Sequence, residues 1–267
     1  METKAAALLE RLRGLGGVAV AYSGGVDSTY LLWAAREALG ERVLAVTLRL
    51  RSMSEGEASA ASDFCREYGI RQVTLEVDEL AIEGFAANPP NRCYLCKREL
   101  FRRAWEAARS AGFAHLAEGS NRDDEGDYRP GMCALAELGV LSPLREAGLT
   151  KAEIRELSRE AGLPTWDKPS MACLASRFVY GETITAERLA MVGRAEEWLR
   201  AHGFRQYRVR LHGADLARIE VPPEEQPRLL ALRLEATEAV RALGFRYVAM
   251  DLLGFRSGSM NEALAGE

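Results

Sequence analysis

Ser23-Gly24-Gly25-Val26-Asp27-Ser28 joins two apolar runs and constrains this chain more than any other stretch. The run before it, Val18-Ala19-Val20-Ala21-Tyr22, reads as a buried strand over about 17–22. The run after it, from Thr29 through Ala35, reads as a helix continuing to about Leu39. A glycine pair at a strand-to-helix junction lets the backbone turn with positive φ and approach a ligand closely. The first N–H groups of the helix then face the loop without intrahelical partners, and the helix dipole adds positive potential. Such a junction is an anion site suited to phosphate. No lysine occurs in the loop, so the Gly-Lys-Ser/Thr pattern of the P-loop kinases is excluded.

Further elements follow at regular spacing. Residues 4–13 predict a short helix, Val43–Leu48 a second buried strand, and Ser54 to Tyr68 a helix stopped by Gly69. Gln72–Val77 reads as a third strand, Tyr94 to Ser110 as a helix, and His115–Ala117 as a fourth strand. Strands alternating with helices of this length imply right-handed βαβ units and an α/β fold with a parallel sheet. Ligands bind such sheets at the carboxyl ends of the strands. Thr47, late in the second strand, and Gly119, just after the fourth, join Ser23, Gly24, Gly25, Val26, Asp27 and Ser28 as nucleotide-binding candidates. Thr150 and Glu153 form a capping-box pattern for a helix closed by Gly162, and Leu163–Pro169 reads as extended. After residue 182 the character changes. A charged helix over 185–202, strands over 207–211 and 217–221, a helix over 224–242 and a strand over 245–250 predict a smaller C-terminal α+β lobe. The expected domains are therefore 1–182 and 183–267, with Gly258 to Glu267 frayed.

The 267 residues suffice for one large domain with a small lobe. A net charge of −4 supplies no general footprint for nucleic acid, and no apolar run approaches a membrane span, so neither partner is expected. Five cysteines, an odd number, with no secretory signal at the charged start Met1-Glu2-Thr3-Lys4, point to a reducing, cytoplasmic setting.

Several side chains carry candidate chemistry. Asp27 can ligate Mg²⁺ beside a phosphate, or it can simply complement the dipole of its helix. The polar turn Gly119-Ser120-Asn121-Arg122-Asp123-Asp124 can contact nucleotide or metal, or only turn the chain. Cys93 and Cys96, three apart at a helix start, share one face, and Arg92, Lys97 and Arg98 lie beside them. The helix N-terminus and these cations favour thiolate. The pair has the spacing of half a zinc site, of an iron–sulfur ligand pair or of a redox pair. Cys173 sits in the small, basic run Lys168–Arg177, which suits an accessible thiol. Cys65 and Cys133 are assigned to packing. Arg208 and Arg210 alternate along one face of a half-exposed strand, suiting a phosphate or merely solvent, with Arg177 and Arg218 as further candidates. Glu196 and Glu197 on the preceding helix can reach such a site or can lie on an exposed face.

The Ser23–Ser28 loop resembles the pyrophosphate loop of the ATP-pyrophosphatase (PP-loop) superfamily. Taken with Asn88-Pro89-Pro90-Asn91-Arg92-Cys93-Tyr94-Leu95-Cys96-Lys97, Glu118–Asp124 and Lys168–Arg177, the chain resembles the LarE family over roughly residues 10–255. These are ATP-dependent sulfur transferases of nickel-pincer nucleotide cofactor synthesis. The resemblance implies that MgATP adenylates a carboxylate of a pyridinium biscarboxylate mononucleotide, that sulfur displaces AMP, and that the cycle runs twice. It implies that Ser23 to Ser28 hold ATP and Mg²⁺, with Asp27 on the metal, and that Cys173 presents sulfur. Some members surrender the sulfur of a single cysteine in the Cys173 position, leaving dehydroalanine. Others carry three cysteines and a [4Fe-4S] cluster with one open iron. Cys93, Cys96 and Cys173 match the second type, with sulfide or another sulfur donor as co-substrate. A homo-oligomer is expected. The rival readings are a tRNA thiolase, which calls for a basic surface, and an amidating ligase, which calls for an ammonia source.

Overall fold

The computed structural model describes residues 1–51, 53, 55–124, 130–169, 173–256 and 259–260. In the first part of the chain, helix α1 (Glu2–Leu15), strand β1 (Val18–Ala21), helix α2 (Val26–Leu39), strand β2 (Val43–Leu50), helix α3 (Glu55–Glu67) and strand β3 (Arg71–Val77) alternate. Helix α4 (Arg92–Ser110), strand β4 (Leu116–Ala117) and helices α5 (Pro130–Glu137), α6 (Pro143–Glu146) and α7 (Lys151–Glu160) complete it. All four strands are parallel, in the order β3-β2-β1-β4. This is the α/β architecture expected from the alternation of strands and helices.

Both faces of the sheet are covered, which is why β1 and the first half of β2 are unbroken apolar runs. Val18, Val20, Val43 and Ala45 face a core with Leu8, Leu12, Leu31, Leu32 and Ile154. Ala19, Leu44 and Val46 face a second layer with Leu100, Phe101, Ala104 and Leu135. Helix α7 begins with the expected capping box, in which the Thr150 hydroxyl accepts from Glu153 N while Glu153 accepts from Thr150 N.

The structure departs from the sequence reading at several points. The segment 163–169 is not extended: Trp166 N donates to Leu163 O and Lys168 N to Thr165 O, so it turns. Arg155 of α7 holds that turn, donating to the carbonyl oxygens of Trp166 (2.7 Å) and Lys168 (2.6 Å). Helices α5 and α6 were not anticipated, because a Pro-rich, Gly-rich sequence hides short helices. Lastly, Ser259, placed in a frayed tail, is buried and bonded to Glu220 and Arg210; positions 257–258 and 261–267 lie outside the described residues.

The chain forms two compact units, Met1–Ile82 with Asn91–Ser170, and Glu83–Pro90 with Met171–Glu267. The second contains helix α8 (Ala186–Ala201), strands β5 (Arg208–His212) and β6 (Leu216–Glu220), helices α9 (Gln226–Ala231) and α10 (Arg233–Ala242) and strand β7 (Tyr247–Met250). Its sheet has the order β5-β6-β7, antiparallel between β5 and β6 and parallel between β6 and β7. The helix expected over 224–242 breaks at Leu232, which caps both α9 and α10.

Residues 83–90 join the second unit through backbone contacts. Gly181 N donates to Asn88 O and Ile184 N to Ala86 O. Asn88 is fully buried, its amide donates to Val179 O at 2.6 Å, and it has the one positive φ (51°) found on a non-glycine among the described residues. Asn tolerates this left-handed conformation better than other side chains with a Cβ. Asn88→Ala is expected to cost roughly 2–3 kcal/mol, from the strained backbone and the unsatisfied Val179 carbonyl. Asn88→Gly should cost about 1 kcal/mol less, since glycine relieves the strain alone. Urea unfolding midpoints of the two variants check this ordering.

Candidate nucleotide site

The Ser23–Ser28 loop leaves the carboxyl end of β1, which pairs with β2 on one side and β4 on the other. Connections depart in opposite directions on the two sides of such a strand, and a crevice opens there. Gly24 takes φ +70°, the left-handed turn that requires glycine. Gly25 is the N-cap of α2 and gives no side-chain cap. The loop is closed on itself by its serines: the two hydroxyls lie 3.1 Å apart, and Ser28 Oγ donates to Gly25 O and accepts from Ser23 N. The small side chains thus shape the loop and leave the N-terminal amides of α2 to a ligand.

Gly119 explains itself by distance. A Cβ there would lie 2.9 Å from Ser28 N and 3.2 Å from Asp27 C, so the β4 loop is seated directly on the start of α2. The other members of the polar turn brace one another. Asn121 Oδ1 accepts from Asp123 N, Asp124 Oδ2 accepts from Asn121 N, and Asp123 Oδ2 accepts from Lys151 N at 2.8 Å. Glu118 is buried, accepting from Ser120 N, Ser120 Oγ and, at 2.6 Å, Ser142 Oγ. Thr47 is buried in β2, where its hydroxyl accepts from Gln72 Nε2 at 2.8 Å.

Asp27 lies in the first turn of α2. Burial pushes its carboxyl above the ordinary carboxylate range, and the Lys151 ammonium, 2.5 Å from Oδ2, pulls it back. Oδ1 is buried with no donor. A buried carboxylate oxygen without a partner fits a cation ligand, and oxygen is the donor Mg²⁺ takes. Two lysines that sequence reading missed stand at this loop. Lys151 is the first residue of α7, and Lys168 Nζ donates to Gly24 O at 3.0 Å. One signal was present: a lysine at the first position of a helix opposes the dipole and calls for an acid nearby.

The cysteines divide between the units. Cys93 and Cys96 occupy the first turns of α4, Cys93 exposed and Cys96 half-buried. Of the three expected cations, Arg92 brings its guanidinium to 3.9 Å from Cys93 Sγ. Arg98 lies over the Tyr94 ring, and the Lys97 stem packs at Gly131. Cys173 is exposed in the second unit, at the cap of a short helical turn, Leu174–Arg177. No disulfide engages these thiols, and among the described residues no three His, Cys, Asp or Glu side chains gather into a metal-holding set. Cys65 is buried as expected, and desolvation pushes its thiol up to about 12. Cys133, expected to pack, is instead exposed on α5.

Strand β5 is buried rather than half-exposed. Arg208 donates to Tyr207 O and lies over the Phe255 ring, and burial, with Arg177 nearby, pulls its pKa down to about 10. Arg210 donates to Glu220 (3.0 Å), Ser259 and Ser176 O, and its Nε is buried without an acceptor. Arg218 reaches the other Glu220 oxygen. Arg177, fully buried, grips Glu196 with two nitrogens at 2.6 and 3.0 Å, and Glu196 also accepts from Val209 N. Glu197 pairs with Arg200 at the surface. Sequence alone cannot separate Glu196 from Glu197; one position along the helix puts one inside and the other out.

A central parallel strand ending in a glycine loop that feeds a helix N-terminus, beside an acid and two lysines, defines a PP-loop ATP-using enzyme. The model described as "PP-loop domain" matches residues 1–124. The chain is 38% identical over 265 residues to pyridinium-3,5-bisthiocarboxylic acid mononucleotide synthase of Lactiplantibacillus plantarum, covering 99% of this chain and 96% of that one. It is 43% identical over 262 residues to an uncharacterized Synechocystis protein, covering 96% and 97%. A tRNA-specific 2-thiouridylase of Herpetosiphon aurantiacus is 30% identical over 192 residues, 57% of this chain. The chain belongs to the LarE family, and it is an ATP-dependent enzyme of the kind that forms AMP and pyrophosphate. No described helix is long and apolar enough to cross a membrane.

Two outcomes follow from this geometry. Gly119→Ala should fold yet lose most ATP-dependent pyrophosphate release, because its Cβ must displace the start of α2; normal turnover by the folded variant would contradict that role. Arg177→Met should lose about 3–5 kcal/mol of stability, the cost of stranding the buried Glu196 carboxylate. Adding Glu196→Gln to it should restore part of the loss, read by thermal unfolding.

Proposed function

We propose that this chain activates the carboxylates of pyridinium biscarboxylate mononucleotide with ATP and replaces them with thiocarboxylates. The observation that carries the reading is the full-length likeness to the Lactiplantibacillus plantarum synthase, together with cysteines at 93, 96 and 173 that form no disulfide. Each cycle forms one bond and breaks one in each half. The carboxylate oxygen attacks the α-phosphorus and pyrophosphate leaves. Sulfur then attacks the acyl carbon of the adenylate and AMP leaves with the carboxylate oxygen.

In this reading the amides at the start of α2 and the loop Ser23 to Ser28 bind phosphate oxygens, and donors fixed before reaction stabilise charge as it develops. Asp27 holds Mg²⁺ through Oδ1, which has no other partner. Thr47 and Gly119 border the nucleotide, Gly119 by seating the loop. Arg208 and Arg210 serve the substrate phosphate. The buried Arg210 Nε without an acceptor and the crowding of Arg177, Arg208 and Arg210 support an anion there. No nucleic-acid partner belongs to this reading; the net charge is −4.

Cys93, Cys96 and Cys173 are the proposed thiolate ligands of a [4Fe-4S] cluster. Soft thiolates are the donors such clusters take, and three of them leave one iron open, which supplies a place for an exogenous sulfide. Cys93 stands in the first turn of α4 with the Arg92 guanidinium 3.9 Å from its sulfur. The rival is sacrifice of Cys173 alone. Intact-protein mass spectrometry after turnover separates the two. Ligation predicts five unmodified cysteines, multiple turnovers with added sulfide, and inactive Cys93→Ala, Cys96→Ala and Cys173→Ala. A chain lighter by one H₂S at Cys173, with Cys93→Ala and Cys96→Ala still active, would establish sacrifice instead.

A further inference from the structure

We propose that Lys151 and Lys168 are the phosphate-binding cations of the ATP site, and that Lys151 guards Asp27 until a metal ion takes its place. The inference rests on the ATP site and not on the sulfur chemistry. Helix α7 carries Lys151 and holds the turn that carries Lys168. Lys151 stands at its first position, with its backbone N–H fixed to Asp123 Oδ2 and the helix start locked by the Thr150–Glu153 capping box. Lys4 ties that box to α1 by pairing with Glu153 at 2.7 Å. One turn further on, Arg155 clamps the carbonyl oxygens of Trp166 and Lys168. The turn so held delivers Lys168 Nζ to Gly24 O inside the glycine loop. Two lysines 17 positions apart in the sequence therefore converge on the loop from one helix and its clamp.

Their present partners are weak reasons to be there. Lys168 satisfies one carbonyl oxygen. Lys151 occupies Oδ2 of a carboxylate whose Oδ1 has no donor at all. An ammonium and a divalent cation on one carboxylate repel each other, so a metal at Asp27 displaces Lys151. Lysine suits that exchange: it is a compact charge on a flexible stem, free of the fixed fork that holds arginine to one carboxylate. The released ammonium then meets the phosphate oxygens brought with the metal. In the reaction this places positive charge on the departing pyrophosphate, where negative charge develops. A helix start normally repels lysine, so a lysine at the first position of α7 with its base rigidly held is placed for what its tip reaches.

Titration calorimetry with MgATP, Mg-pyrophosphate and AMP tests this, together with Mn²⁺ binding followed by electron paramagnetic resonance in nucleotide-free protein. Lys151→Met should bind MgATP and Mg-pyrophosphate about ten-fold or more weaker, the loss of one charge-assisted contact, with AMP affinity unchanged. Its Mn²⁺ affinity should rise, because nothing competes for Asp27. Lys168→Met should lose MgATP and Mg-pyrophosphate likewise without changing Mn²⁺. Lys151→Gln, which keeps a hydrogen bond to Asp27, should follow Lys151→Met and serves if the methionine variant does not fold. Equal losses for MgATP and AMP, or a fall in Mn²⁺ affinity with Lys151→Met, would overturn the proposal. Thiocarboxylate formation plays no part in these readouts, so a failure here and a failure of the sulfur-transfer reading are told apart.

Discussion

The site depends on one close approach: the backbone at Gly119 rests on the backbone at Ser28, with no room for a Cβ between them. That contact follows from strand order. Because β1 lies between β2 and β4, the loops leaving β1 and β4 emerge side by side at the carboxyl edge. A larger residue at 119 would push the start of α2 away and turn its free amides aside. The serines that close the Ser23–Ser28 loop and the acids that brace residues 121–124 both act around this fixed point. Helix α7 is anchored to it through Asp123 and Lys151. The anion site is thus a consequence of sheet topology, with side chains adjusting it.

The parallel sheet was legible because a sheet covered on both faces leaves unbroken apolar runs, and β1 and β2 show them. The glycine loop was legible because only glycine turns there with positive φ. The capping box at Thr150 was legible because both partners lie within four residues. Lys151 and Lys168 were not, since what places them is a chain of contacts from Thr150 and Arg155 to carbonyls on a turn that reads as extended. The C-terminal arginines were found as residue types, but their setting was misjudged. Alternation along β5 suggested one wet face, whereas α8 and the turn at 174–177 cover it, and Glu196 and Glu220 supply buried counter-charges. Cys133 failed for the opposite reason: an apolar neighbourhood in sequence, Met132 and Ala134, does not say which side of a short helix faces out.

Arg177, Arg208 and Arg210 are buried together in the second unit. Burying an ion pair seldom adds net stability, because desolvation offsets the attraction. Arg177 with Glu196 and Arg210 with Glu220 are therefore better understood as fixing geometry than as holding the fold. Each arginine is aimed by an acid and by a carbonyl or hydroxyl. The guanidinium groups are held in place before any ligand arrives, so little rotamer freedom remains to be lost when one does.

The second unit is assembled from two separated stretches of chain, and this sets a schedule for synthesis. Residues 83–90 leave the ribosome early, but the Asn88 amide finds its partner only when Val179 appears, 91 positions later. At ordinary elongation rates that is a wait of roughly 5–20 s. Meanwhile the parallel sheet, whose last strand ends at Ala117, can close around a segment that has no place in it. Asn88-Pro89-Pro90 suits such a wait: two prolines in succession resist both helix and strand and keep the segment from pairing wrongly with the sheet. The cysteine pair begins three residues after Pro90, so it emerges beside a stretch still awaiting its fold, and Cys173 follows 80 residues after Cys93.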